Sequence, residues 1–419
     1  MTLRDTKGRT KNNDKLFFVI IFLLALFLRL HFIFNVEYPL MDDGENYLNM
    51  ARRIVSGHGY GYLSDSPNAY VTPGYPLFLA FFLWMFGDSG GMTAIQITQC
   101  ILGAFTSVIS ALIGKQIMSR NTGILSGLLV AVYPPFIMSS LCILTECLYL
   151  FFFLLYFYFQ LISLDLISYS YPREKLKGRF LLSGLCGILF SLSVLIRPTV
   201  LPLALFPYVY KLVQARGNRD QRRLILTESA VFLICGCAVM LPWWIRNITV
   251  LGEFIILSQG SGNPLLFGTF PDMQIPDGYY IPPDKEFSEA LSRIKNGFSS
   301  EPIKYFLWYT VGKFKYIFFN IWYYLPGPIS PRYHNLYLPF VHYFSVVTGW
   351  MAVVFSVVFG RIRFISIYVS LLTLLQLCFI PSERYAYTIL PLLMICASAF
   401  ALHCFSLIKR EYRITRPDI

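Results

Sequence analysis

Apolar residues in this chain arrive in runs of roughly twenty, separated by short polar or basic segments. A helix of about twenty apolar residues crosses the hydrocarbon core of a bilayer. Ten such runs are legible, at about 16–34, 93–117, 122–140, 143–163, 180–197, 199–213, 226–246, 337–358, 363–381 and 385–408. The first is longer than a signal-peptide core and no small-residue cleavage site follows it, so it reads as a retained helix. Two further apolar stretches, Tyr75–Phe86 and Tyr305–Leu325, read as helices lying at the surface. The first is too short to span. The second carries Lys313 and Lys315 in mid-run, and counting it as a span would reverse the sidedness of all that follows.

Composition agrees. Of 419 residues, 56% are hydrophobic and only 14% charged, with a mean hydropathy of +0.56. A soluble domain is about a quarter charged, so the missing polar surface must face lipid. The fold class is therefore an all-α polytopic membrane protein. The positions of the basic residues set its orientation. Arg4, Lys7, Arg9, Lys11 and Lys15 precede the first run and place it with its start in the cytoplasm. With ten spans, 22 of the 35 Lys and Arg but 8 of the 23 Asp and Glu fall on that side. The net charge of +12 thus reads as orientation plus contact with anionic lipid, with no call for nucleic acid. The expected layout is a cytoplasmic tail over 1–15, one membrane domain over 16–408 with outer loops at about 35–92 and 247–336, and a cytoplasmic tail over 409–419. This is a multi-pass protein of a bacterial or archaeal inner or plasma membrane.

The nine cysteines lie in or beside apolar runs without metal spacing and read as small buried hydrophobes. No glycine-rich phosphate loop follows a strand, which leaves no visible nucleotide-binding domain.

The chemistry gathers in the first loop. In Asp42-Asp43-Gly-Glu-Asn-Tyr-Leu-Asn-Met-Ala-Arg-Arg-Ile-Val-Ser-Gly57, residues Tyr47, Leu48, Ala51, Ile54 and Val55 share one helical face and Glu45, Asn49, Arg52, Arg53 and Ser56 the other. This is an amphipathic interfacial helix. Spacing alone leaves two readings of Asp43. It caps the helix, or it acts as a carboxylate base or metal ligand at the membrane surface.

A wider pattern bears on that choice. An acidic pair, a Tyr four positions after Asp43, an Ala-Arg helix and Gly57-His-Gly-Tyr60 resemble the first outer loop of the GT-C membrane glycosyltransferases. The branch is the one around the protein O-mannosyltransferases and the lipid A aminoarabinose transferase. Thr72-Pro-Gly-Tyr-Pro76 resembles that branch's surface helix, with Thr in place of its first Pro. Leu144-Thr-Glu146 stands where the branch has its second acidic residue, and Ile196-Arg-Pro-Thr199 resembles its Arg-Pro-Thr turn. Pro242-Trp-Trp-Ile-Arg-Asn247 with Gly252, Gly260-Ser-Gly-Asn263 and Gly268 resembles the opening of its second large loop. Arg384-Tyr385 and Pro391 resemble its last outer turn. The ordered set covers nearly the whole chain. One departure is that Gly44 follows Asp43 where the branch often has Asp-Glu.

The resemblance implies a GT-C fold of about ten transmembrane helices with extracytoplasmic juxtamembrane helices. It also implies transfer of a sugar from a polyprenyl-phosphate donor to a lipid, glycan or protein acceptor on the outer face. Asp43 would be the base, assisted by Asp42; Glu146 would orient the acceptor or a metal; Arg246, Lys313 and Arg384 would meet the donor phosphate. Lys315 and Arg332 are further outer cations. A divalent cation would find ligands in Asp42, Asp43 and Glu146. The rival readings are a polysaccharide polymerase or ligase, which lacks the acidic motif in this loop, and a transporter or flippase, whose charges belong at mid-membrane.

Overall fold

The computed structural model describes residues 3–36, 40, 42–166, 176–322, 336–357 and 360–415. Arg332 lies outside them, as does the side chain of Asp42. Every regular element among the described residues is helical.

Helix α1 (Leu3–Asn35) leads into the amphipathic α2 (Asp42–Val55) and then α3 (Gly74–Ile117). Gly87 breaks α3 with φ 70 and ψ −177, a backbone state that glycine reaches without a Cβ penalty. The break separates the limb expected at the surface from the limb expected to span. On the first limb Tyr75, Leu79, Ala80 and Leu83 face the protein, while Leu77, Phe81, Trp84 and Phe86 remain exposed. The bundle continues through α4 (Arg120–Val132), the short α5 (Pro134–Met138), α6 (Glu146–Ser163) and α7 (Leu176–Ile196). Next come α8 (Phe206–Gln214) and α9 (Arg219–Arg246). The second loop holds α10 (Gly262–Phe267), α11 (Glu286–Ser300), α12 (Pro302–Leu307) and α13 (Lys313–Phe319). The chain closes with α14 (Leu338–Val354), α15 (Arg363–Leu377), α16 (Glu383–Tyr387) and α17 (Leu390–Thr415).

Among the described residues, six helices are long and apolar enough to cross a membrane, with three shorter apolar ones at Arg120–Val132, Leu338–Val354 and Arg363–Leu377. Ten uninterrupted spans are not seen. The run expected over 199–213 divides into a 3-10 turn, Pro198–Leu203, and the nine-residue α8, with Pro202 and Pro207 in the way. The run expected over 122–140 ends at Val132, before Pro134 and Pro135. Proline lacks the N–H that continues a helix and disfavours the helical state of the residue before it.

Both long loops lie at one end of the bundle. There the Gln259 amide N donates to Ala69 O (2.8 Å) and the Gly260 N to Tyr70 O (3.1 Å), joining loop to loop. At the opposite end Asp14 pairs with Lys115 (2.7 Å) and Arg120 (2.8 Å), and Arg179 pairs with Glu228 (2.7 Å).

Candidate active site

Three chain segments converge at the loop end. The first is the opening turn of α2. Its inner face buries Leu48, Met50 and Ala51, and Tyr47 meets Tyr75 edge-on at 5.3 Å. Gly44 lies against the chain before α6: a Cβ there would stand 3.0 Å from Ile143 O. That approach favours Gly44 over the acid that often follows in the resembled pattern. Gly74 makes a similar approach, since its Cβ would stand 2.7 Å from Leu195 O. This seats the first limb of α3 on the end of α7, and Thr72 Oγ1 donates to Ile196 O at 3.3 Å.

The second segment brings Glu146, the first residue of α6, whose side chain is fully buried. The third is α16, where the Ser382 hydroxyl accepts from the Arg384 N–H and starts the turn. Arg384 joins all three. Its Nη1 donates to Asp43 Oδ2 at 2.7 Å, and its Nη2 and Nε reach Glu146 Oε1 at 2.9 and 3.0 Å. Arg197, just after α7, donates to the same Glu146 oxygen at 2.7 Å and lies over the Tyr385 ring. The result is a chain of alternating charge, Asp43–Arg384–Glu146–Arg197. Exposure falls inward to Glu146 and rises a little beyond it: the side chains are 47% exposed at Asp43, 25% at Arg384, 0% at Glu146 and 12% at Arg197. Asp43 is the open face and Glu146 the root.

The carboxylate of Asp43 leaves its own helix for Arg384. Among the described residues its Oδ1 takes no protein hydrogen bond. Burial alone would lower the Arg384 pKa, but Glu146 and Asp43 outweigh it and hold the guanidinium charged. Burial and the nearby Asp43 push the Tyr62 hydroxyl up to about 12. The space between Asp43 and Glu146, where a divalent cation would bridge them, is taken by the Arg384 guanidinium. Glu146 Oε1 is held by two arginines while Oε2 faces Thr145 Oγ1 at 3.4 Å. These two carboxylates therefore do not fit a shared metal.

Two expected phosphate ligands stand elsewhere. Arg246 donates to Tyr60 O and Asn68 O, each at 2.9 Å, and to Asn247 Oδ1 at 3.0 Å, with its plane over Tyr60 and Trp243. It fastens the first loop to the opening of the second. Lys313 is buried on α13, donates to Leu377 O and Phe379 O at 2.9 Å, and lies over the Tyr309 ring. It fastens the second loop to the segment before Arg384. The sequence pattern marked Arg197 only as part of a turn. Its signal was a cation at the end of an apolar run followed by Pro198.

No family profile matches the chain, and no curated protein matches it in sequence. Solved structures do match. Archaeal oligosaccharyltransferase AglB from Archaeoglobus fulgidus, in complex with an inhibitory peptide and a dolichol-phosphate, aligns with a TM-score of 0.54 at 12% identity over 98% of this chain. The oligosaccharyltransferase of the same organism in complex with Zn and sulfate gives 0.55 at 13% identity over 95%. This chain spans about half the length of those proteins, 52% and 50%. ArnT from Cupriavidus metallidurans bound to undecaprenyl phosphate gives 0.44 at 14% identity, too low an overlap to bear on the argument. At such identities the likeness speaks for the fold alone, and with the helical architecture it establishes an integral membrane protein with the fold of the GT-C glycosyltransferases.

Proposed function

We propose that this protein transfers a glycosyl group from a polyprenyl-phosphate-linked donor to a lipid, glycan or protein acceptor, at the end of the bundle carrying the two long loops. That end faces away from the cytoplasm, and both termini are cytoplasmic. The observation that carries the reading is the Asp43–Arg384–Glu146–Arg197 chain, open at its carboxylate end and rooted on a buried acid.

Asp43 Oδ1 takes the proton from an acceptor hydroxyl or amine. The acceptor atom then attacks the anomeric carbon of the donor. The bond from that carbon to the phosphate oxygen breaks, and polyprenyl phosphate departs with the electron pair. Developing charge on the phosphate is met by Arg384, which suits two-pronged contact with phosphate oxygens. Arg197 and Glu146 fix the angle of Arg384. Asp42 assists at the start of the same helix. Arg246 and Lys313 act one layer out, holding the loops that shape the donor and acceptor openings. Exposed Leu77, Phe81, Trp84 and Phe86 on the first limb of α3 offer an apolar bank for the prenyl chain.

Mass spectrometry of envelope lipids and glycans from cells with and without the protein would reveal the product as a mass increment of one sugar. The reading is abandoned if no glycan, lipid or protein loses such an increment when the gene is removed.

A further inference from the structure

At the end of the bundle opposite the ionic chain, the last turn of α6, the start of α7 and the facing ends of α8 and α9 enclose a cavity of about 440 Å³. Its lining brings Arg179, Lys211, Asp165 and Asp220 together with the amides of Asn218 and Gln221 and an apolar part that includes Leu224 and Ile225. Glu228 is fully buried. Its Oε1 accepts from Arg179 Nε at 2.7 Å, and its Oε2 has no partner. Arg179 is therefore already neutralised. Lys211 Nζ donates to Asp165 O at 2.8 Å, which anchors the ammonium and leaves two of its three N–H groups for the cavity.

The lining is left with one cation not paired to a carboxylate in the fold, Lys211, together with the carboxylates of Asp165 and Asp220, around a space the size of a lipid headgroup. A purely anionic ligand would satisfy Lys211 and leave Asp165 and Asp220 opposed to it. A purely cationic ligand would do the reverse. A group with both charges satisfies both, and the apolar part of the lining receives its first methylenes. The position at the ends of membrane-crossing helices puts the cavity at headgroup level.

We propose that this cavity binds the headgroup of a zwitterionic phospholipid bearing a primary ammonium. The phosphate takes the free N–H groups of Lys211, and the ammonium donates to Asp220 and Asp165. A quaternary ammonium fits less well, because it has no N–H to donate.

The test is lipid retention by the purified full chain, extracted from bilayers of mixed phosphatidylethanolamine, phosphatidylcholine and phosphatidylglycerol and read by native mass spectrometry. The wild type should keep phosphatidylethanolamine in preference to both others. Lys211→Met and Asp220→Asn should each lower that preference roughly tenfold, the effect of losing one charge-assisted hydrogen bond. Thermal unfolding of the variants in detergent, where it matches the wild type, shows that the fold is kept. Equal retention of phosphatidylcholine, a preference for phosphatidylglycerol, or unchanged selectivity in both variants would overturn the proposal. None of these outcomes depends on the transfer reaction at the other end.

Discussion

Arg384 and Glu146 are 238 positions apart in the sequence, yet the guanidinium of one grips a single carboxylate oxygen of the other through Nη2 at 2.9 Å and Nε at 3.0 Å. With Arg197 on the same oxygen at 2.7 Å, one buried acid is shared by two cations. In a low-dielectric setting a charge pair offsets the cost of leaving water only while it stays complete.

It follows that Glu146→Gln leaves two guanidiniums without their shared counter-charge. The expected loss is about 3 kcal/mol of stability, in the range found for breaking a buried ion pair. Arg197→Gln should cost less, because Glu146 keeps its two bonds from Arg384. The double variant should cost clearly less than the two losses added, because both remove the same interaction. Thermal or denaturant unfolding of the four proteins in detergent measures this, and additive losses would show that Arg197 and Glu146 are not coupled.

Asp43 stands at the opposite extreme. Its side chain is 47% exposed, so its bond to Arg384 is worth little to the fold. Asp43→Asn should unfold like the wild type, within about 1 kcal/mol. Transfer in isolated membranes should fall by about 10²–10⁴-fold, the usual contribution of a general base. An Asp43→Asn protein that is inserted normally and transfers at the wild-type rate would remove Asp43 from the chemistry.

These contrasts mark how much was legible in the sequence. The apolar runs gave the membrane class, and the alternating faces of residues 42–55 gave α2 as an amphipathic helix. An acid in an apolar stretch is rare enough that Glu146 stood out by itself, and Asp43 stood out through the acidic pair at the start of an amphipathic helix. Their joining through Arg384 was not legible, because nothing local ties positions 43, 146 and 384 together. Arg246 and Lys313 drew notice as cations at the outer boundary. A cation aimed at a phosphate and one aimed at carbonyl oxygens look alike in sequence, and only the fold shows both holding loops. The two broken spans trace to Pro134, Pro135, Pro202 and Pro207, whose effect on an otherwise apolar run depends on what packs beside it.

Glycine offers a sharper test of that packing. A Cβ on Gly74 would stand 2.7 Å from the Leu195 carbonyl oxygen, a backbone atom with nowhere to move. Gly74→Ala should therefore cost about 1–3 kcal/mol, as overpacking does. Gly90 is exposed, and its Cβ would meet only Phe86 Cβ at an ordinary 3.4 Å. Gly90→Ala should be neutral or stabilising by up to about 1 kcal/mol, since alanine favours a helix. If both substitutions shifted the unfolding midpoint in the same direction, the close seat of α3 on α7 would be wrong.

Lys313 makes the last case, through pH. It lies on α13, outside the six long apolar helices, and burial lowers its ammonium pKa to about 7. In the unfolded chain it titrates near 10.4. Between those values the unfolded state holds a proton that the folded state has released, so stability rises with pH across this window. Below about 7 both states are protonated and the penalty of a buried charge is fully present. Lys313→Met removes the proton-linked term along with the two bonds to Leu377 O and Phe379 O. The unfolding midpoint of the wild type, followed from neutral pH to about pH 10, should therefore climb relative to that of Lys313→Met. Parallel curves would mean that Lys313 titrates normally and that its place beneath the second loop is hydrated rather than buried.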